Sequence, residues 1–108
     1  MQAARKKLEP VERFHPRVEA NLMVKVLQGG RTLLAKARDL SMAGLCLVED
    51  PGIEGERLAV AIPLPGNREV LTPATVRRKT DGALALEFDP LDWEDLIALA
   101  RYLNPRLK

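Results

Sequence analysis

The stretch EANLMVKVLQGGRTLLAKAR, from Glu19 to Arg38, decides the fold. Ala20, Leu22, Val24 and Val26 alternate with Glu19, Asn21, Met23 and Lys25, the period of two that marks a strand with one buried face. Gly29-Gly30 then supplies the positive φ values of a two-residue hairpin turn. Beyond the turn, Leu33, Ala35 and Ala37 share one face while Lys36 and Arg38 share the other, so a return strand is expected from Thr32 to Arg38.

Working outward, the same grammar repeats. Leu45 to Val48 reads as a short apolar strand that stops at the turn signal Asp50-Pro51-Gly52. A fourth strand is expected from Arg57 to Leu64, a turn at Pro65-Gly66-Asn67, and a fifth strand from Glu69 to Lys79 in which Pro73 suggests an edge or a bulge. Asp81-Gly82 is a second two-residue hairpin signal, and Leu84, Leu86 and Phe88 alternate after it. Six strands joined mostly by short turns predict a mainly β domain, a six-stranded antiparallel barrel whose closure removes exposed edges. The last segment has another period: Trp93, Leu96, Ile97, Ala100 and Leu103 fall at helical spacing, which predicts one C-terminal helix over about 90–104. Asp89 or Asp92 is expected to cap it, with Pro90 in its first turn and Pro105 ending it.

The chain has 108 residues, 46% hydrophobic and 30% charged, the size of one small domain. The barrel with its helix is expected over 18–105. Residues 1–17 hold Pro10 and Pro16 and show no sustained period, so they read as an N-terminal arm in which Arg5, Lys6, Lys7, Arg13 and Arg17 outnumber Glu9 and Glu12. With only four aromatic residues, a platform for stacking single-stranded nucleic acid is not expected. No apolar run is long enough for a membrane helix, which predicts a cytoplasmic protein without membrane insertion. One cysteine, Cys46, and one histidine, His15, leave no disulfide framework and too few ligands for an ordinary zinc site, so neither a metal nor a cofactor is expected. No nucleophile, base and orienting group come together in the sequence, and the protein does not read as an enzyme.

Two segments carry candidate binding chemistry. Arg13-Phe-His-Pro-Arg17 holds two guanidinium groups at an even separation, which in extended chain points both to one side, where each can bind a phosphate or a guanine edge through paired hydrogen bonds. Taken alone, the spacing is weak evidence, and a pair of solvated arginines beside Glu9 and Glu12 is the commoner reading. In Asp39-Leu-Ser41-Met-Ala-Gly44, the carboxylate and hydroxyl can close a local turn, with Gly44 taking positive φ, or can accept hydrogen bonds from guanine. Arg77, Arg78 and Lys79 form a basic run that reads as a solvated strand face, and Cys46 reads as a small buried apolar side chain.

Taken together, Arg-x-x-x-Arg before the first strand and Asp-x-Ser-x-x-Gly between the second and third resemble the PilZ domain over roughly residues 10–104. In that family the two motifs bind the bacterial second messenger cyclic di-GMP. The resemblance therefore implies Arg13, Arg17, Asp39, Ser41 and Gly44 as ligand contacts, and a stand-alone receptor that changes its arm and surface on binding to regulate an unidentified protein partner in motility, biofilm formation or a related process. Ala85 stands three residues before Phe88, where family members often carry glycine. Glu12 occupies the position before Arg13 that bears on whether one or two nucleotides bind. The alternative within the same fold is a protein-interaction module that does not bind nucleotide.

Overall fold

In the computed structural model, which describes residues 17–106, the first hairpin forms as its alternation requires. Strand β1 (Val18–Gln28) pairs antiparallel with β2 (Arg31–Leu40), with Gln28 opposite Arg31 across the two glycines. Gly29 and Gly30 have φ of 59° and 78°, the two positive values of a type I′ turn, whose twist matches that of the strands it joins. A register shift between Glu19 and Leu22 accompanies a φ of 47° at Asn21, a residue type that tolerates the left-handed region. The expected arm, apart from Arg17, lies outside the described residues, and Arg13 and His15 lie outside with it.

The remaining strands are β3 (Gly44–Leu47), β4 (Arg57–Leu64), β5 (Arg68–Thr80) and β6 (Ala83–Phe88), all antiparallel to their neighbours. They close in the order β1-β2-β3-β6-β5-β4, and β4 returns to β1 through Lys25↔Ala61, Val26↔Val60 and Leu27↔Ala59. Closure leaves no unpaired sheet edge, the liability that a small open sheet would carry. The interior is aliphatic: Val24, Val26, Leu40, Leu45, Leu47, Val60, Ile62, Val70 and Leu84 are buried, and among the described residues Phe88 is the one fully buried aromatic, with Tyr102 half-buried against the core. In so narrow a barrel, inward side chains from facing strands fill the space themselves.

Pro73 is not at an edge of the sheet, as its residue type suggests, but inside β5 opposite Ala59. The barrel accommodates it because the ladder of β5 with β6 runs out at Ala74↔Phe88. Beyond that rung, only the Pro73 carbonyl is used, accepting from the Asp89 N–H at 2.9 Å, so the missing donor forfeits no regular rung.

The C-terminal helix α1 spans Trp93–Leu103, shorter than the 90–104 expected, and it packs against β4 and β5. Pro90 lies outside it. Asp92 occupies the cap position with extended geometry, and its carbonyl accepts from the Leu96 N–H at 2.8 Å, but its side chain makes no capping bond. Asp89 does not cap either, because Arg57 holds both its oxygens, at 3.0 and 2.9 Å. The buried face also differs from the expected stripe. Leu99 and Leu103, one turn apart, enter the core, whereas Trp93 is 72% exposed and Ala100 is exposed. Burial of these two leucines sets the rotation, and an ion pair between Asp95 and Arg68 at the start of β5, at 3.1 Å, accompanies it.

Candidate site on the outer face of the barrel

Two irregularities in the ladders create the site. Ala37 pairs with Leu47 and Asp39 with Cys46, so Arg38 is an extra residue in β2. On the far side, Val76 pairs with Leu86 and Arg78 with Ala85, so Arg77 is an extra residue in β5. Each bulge puts two consecutive residues on the outside of the barrel, Arg38 with Asp39 and Arg77 with Arg78. Between these walls run β3 and β6, and the outward row Asp39, Cys46, Ala85, Arg78 crosses all four strands. Its two middle members are small. The result is a trough of about 540 Å³ lined by Arg38, Cys46, Arg78, Thr80, Asp81, Ala83 and Ala85, within the size range of small-molecule sites.

Asp39 does not line the trough but lies next to it, paired with Cys46 at the β2 end of the row, with its side chain mostly buried. Its Oδ1 accepts from the Arg17 guanidinium at 2.8 Å and its Oδ2 from Arg38 at 3.2 Å. The Asp39 carboxylate raises the Arg38 pKa above its already high ordinary value, with a smaller contribution from Cys46, whose Sγ accepts from Arg38 at 3.3 Å. Of the basic run, only Arg78 faces the trough. Arg77 pairs with Glu87, and Lys79 with Asp50 at 3.4 Å, whereas Arg78 has no ion pair among the described residues.

The other two motif residues build the corner behind Asp39. Ser41 is buried, and its hydroxyl oxygen accepts from the N–H groups of Ala43 and Gly44 at 3.1 and 3.2 Å while donating to the Gly44 carbonyl at 3.3 Å. The Ser41 N–H donates to the same carbonyl at 2.9 Å. Gly44 does not take the positive φ expected of it, being absent from the left-handed residues. Its requirement is close approach: a Cβ there would stand 2.0 Å from the Leu86 carbonyl oxygen of β6. Thus the structure brings Arg17 and Asp39 into direct contact, sets Ser41 and Gly44 immediately behind them, and adds Arg38, Arg78 and the small residues Cys46 and Ala85, which the motif spacing did not single out. Cys46 is buried as expected, but on the trough side rather than in the aliphatic core.

The PilZ domain family model matches residues 12–104, which include both motifs and every strand. The chain belongs to the PilZ domain family. This is a family of cyclic di-GMP receptors. Among solved structures, the Bacillus subtilis inhibitor of motility MotI is 28% identical, with a TM-score of 0.71 over 85% of this chain and 49% of that one. This PilZ chain thus spans about half the length of that protein. The PilZ domain of CeSA from a cellulose-synthesizing bacterium is 19% identical, with a TM-score of 0.65 over 85% of this chain and 99% of that one. An uncharacterized Legionella protein at 17% identity shares the fold with a TM-score of 0.55 over 83% of this chain and 91% of that one. No curated protein sequence matches the chain. No group of histidine, cysteine and carboxylate residues among the described residues forms a metal site, and no described helix is long and apolar enough to cross a membrane.

Proposed function

We propose that this PilZ domain binds cyclic di-GMP in the trough and passes the signal to a protein partner. The observation that carries the reading is the Asp39 carboxylate, flanked by Arg17 and Arg38, beside a trough that has a small-residue floor and is lined by Arg38 and Arg78. A flat dinucleotide needs such a floor, because a long side chain at Cys46 or Ala85 would occupy the base's place. The carboxylate accepts from the N–H groups on the Watson–Crick edge of guanine, which adenine cannot match. The guanidinium groups pair with phosphates or with guanine O6 and N7. Ser41 supports this chemistry through the corner it holds rather than by offering its hydroxyl, whose hydrogen bonds are already made.

Without ligand, Arg17 neutralises Asp39. A dianionic ligand offers Arg17 a phosphate and offers Asp39 a guanine donor set, so binding exchanges one internal ion pair for several ligand contacts. Arg17 carries the chain toward Arg13, and drawing both onto the nucleotide changes the surface that a partner meets. Calorimetric titration with cyclic di-GMP beside cyclic di-AMP, GTP and an oligonucleotide tests the reading: heat with cyclic di-GMP alone is expected. Equal affinity for cyclic di-AMP would remove the guanine-reading role of Asp39. Hydrogen exchange with and without nucleotide tests the output, with slowing expected around residues 10–18 and 39–44. Unchanged exchange there in the bound state would place the output elsewhere.

A further inference from the structure

Helix α1 carries a second apolar stripe that the barrel does not use. Trp93, Ile97 and Ala100 recur at the spacing of one helix face, with Leu96 on the border toward the barrel. Trp93 is 72% exposed, Ala100 is exposed, and Leu96 and Ile97 are only half-buried. Along one flank of this stripe stand Glu94 and Arg101, seven residues and so about two turns apart. Both are exposed, and neither has a hydrogen bond or ion pair among the described residues.

We propose that this face binds a second copy of the chain, α1 against α1 in antiparallel order about a two-fold axis passing near Ile97. The stripe is complementary to its own reverse. Turning one helix end over end puts Glu94 beside Arg101 of the second copy and Arg101 beside its Glu94, so each charge gains one opposite partner and the dimer holds two such pairs. The same operation sets the large Trp93 against the small Ala100 of the second copy and brings the two Ile97 side chains together, an alternation of sizes that packs without a void. Parallel order would instead oppose Glu94 to Glu94 and Trp93 to Trp93. The axis also leaves the trough open, since that lies on the outer face of β2, β3, β6 and β5 whereas α1 packs on β4 and β5. Two helices of 11 residues bury less than the roughly 800 Å² per partner of a stable complex, so the dimer is weak and reversible, with a dissociation constant on the order of 10⁻⁵–10⁻³ M.

Sedimentation equilibrium on the full chain, from about 10⁻⁵ to about 10⁻³ M, tests the proposal together with the emission of Trp93, the only tryptophan. The expected result is a mass rising toward two chains with the emission moving to shorter wavelength in step. Glu94→Lys and Arg101→Glu each weaken association roughly three- to tenfold, and the double variant returns to within about twofold of the parent, because the swapped charges pair again. Ile97→Asp abolishes association, and unchanged thermal melting of all four variants shows that the fold is intact. A single-chain mass at every concentration overturns the proposal, whether Trp93 emission is solvent-exposed or already shifted by another segment of the chain. A double variant as weak as either single one overturns the antiparallel arrangement.

Discussion

Asp39 and Gly44 belong to one short motif but to opposite kinds of structure. Ser41 and Gly44 are buried, the Ser41 hydroxyl makes its hydrogen bonds to Ala43 and Gly44 within the corner, and β6 passes too close for a side chain. At the rim, Arg17, Arg38 and Arg78 present charge to solvent, and the mostly buried Asp39 carboxylate is held between Arg17 and Arg38. The contrast teaches that the residues of one short motif divide between two tasks: part of it builds a ledge, and part of it stands on that ledge with its charge available to a ligand. Substitutions in the corner are therefore expected to cost stability, and substitutions on the rim to cost binding.

The largest effect is expected from Gly44→Ala. The added methyl would meet the Leu86 carbonyl oxygen, and because both partners are backbone, relief requires β3 and β6 to separate; a destabilisation of about 3 kcal/mol or more follows, read as a lowered denaturation midpoint. Ser41→Ala leaves the Ala43 and Gly44 N–H groups without their acceptor, with an expected cost of about 1–3 kcal/mol. If Ser41→Ala instead kept full stability and lost only nucleotide affinity, the division between corner and rim would fail.

On the rim the signs reverse. Arg17→Ala and Asp39→Asn should each lower cyclic di-GMP affinity by about ten- to a hundredfold, the worth of a charge-assisted contact of roughly 1.5–3 kcal/mol, while the melting temperature of the unliganded protein stays nearly constant. Arg78→Ala should weaken binding by a smaller factor, about three- to tenfold, and Arg77→Ala should not, since Arg77 is committed to Glu87. Paired titrations of the two variants separate the arginine that faces the trough from its neighbour.

The smallest effect sharpens the comparison from the turn that follows β3. Asp50 accepts from the N–H groups of Ile53 and Gly52, both at 2.9 Å, and these bonds, with Lys79 adding to them, hold its carboxyl below the ordinary carboxylate pKa. Because the folded value is depressed, the stabilisation is complete above the unfolded carboxylate range, near pH 4, and is lost as pH falls through the folded value. Asp50→Ala should therefore lower the melting temperature slightly at neutral pH and flatten its decline in acid. Nucleotide affinity should not change.

The strands were legible because the parity of apolar residues is a local property. Leu84, Leu86 and Phe88 point inward as their alternation demands, and Asp81-Gly82 turns with positive φ at both residues. The bulges at Arg38 and Arg77 were not legible. They depend on how two strands of unequal path fit their neighbours around a closed barrel, so the sequence left Arg38 and Arg78 as ordinary surface bases. The helix face differs for a related reason: two apolar stripes coexist on α1, and their spacing alone does not say which one the barrel covers; it covers the stripe of Leu99 and Leu103. At Gly44 the expected positive φ is not found, and the need for glycine comes instead from the close approach of β6.

Titration of the ¹⁵N-labelled protein with cyclic di-GMP, followed amide by amide at about 10⁻⁴ M, tests the central claim most directly, because it reports both whether the nucleotide binds and where. The expected shifts fall at Arg17, Arg38, Asp39, Cys46, Arg78 and Ala85, while Met23, Leu34 and Leu71, exposed elsewhere on the barrel, stay in place. An unperturbed spectrum, or shifts gathered around Met23 and Leu71 with the trough silent, would contradict it.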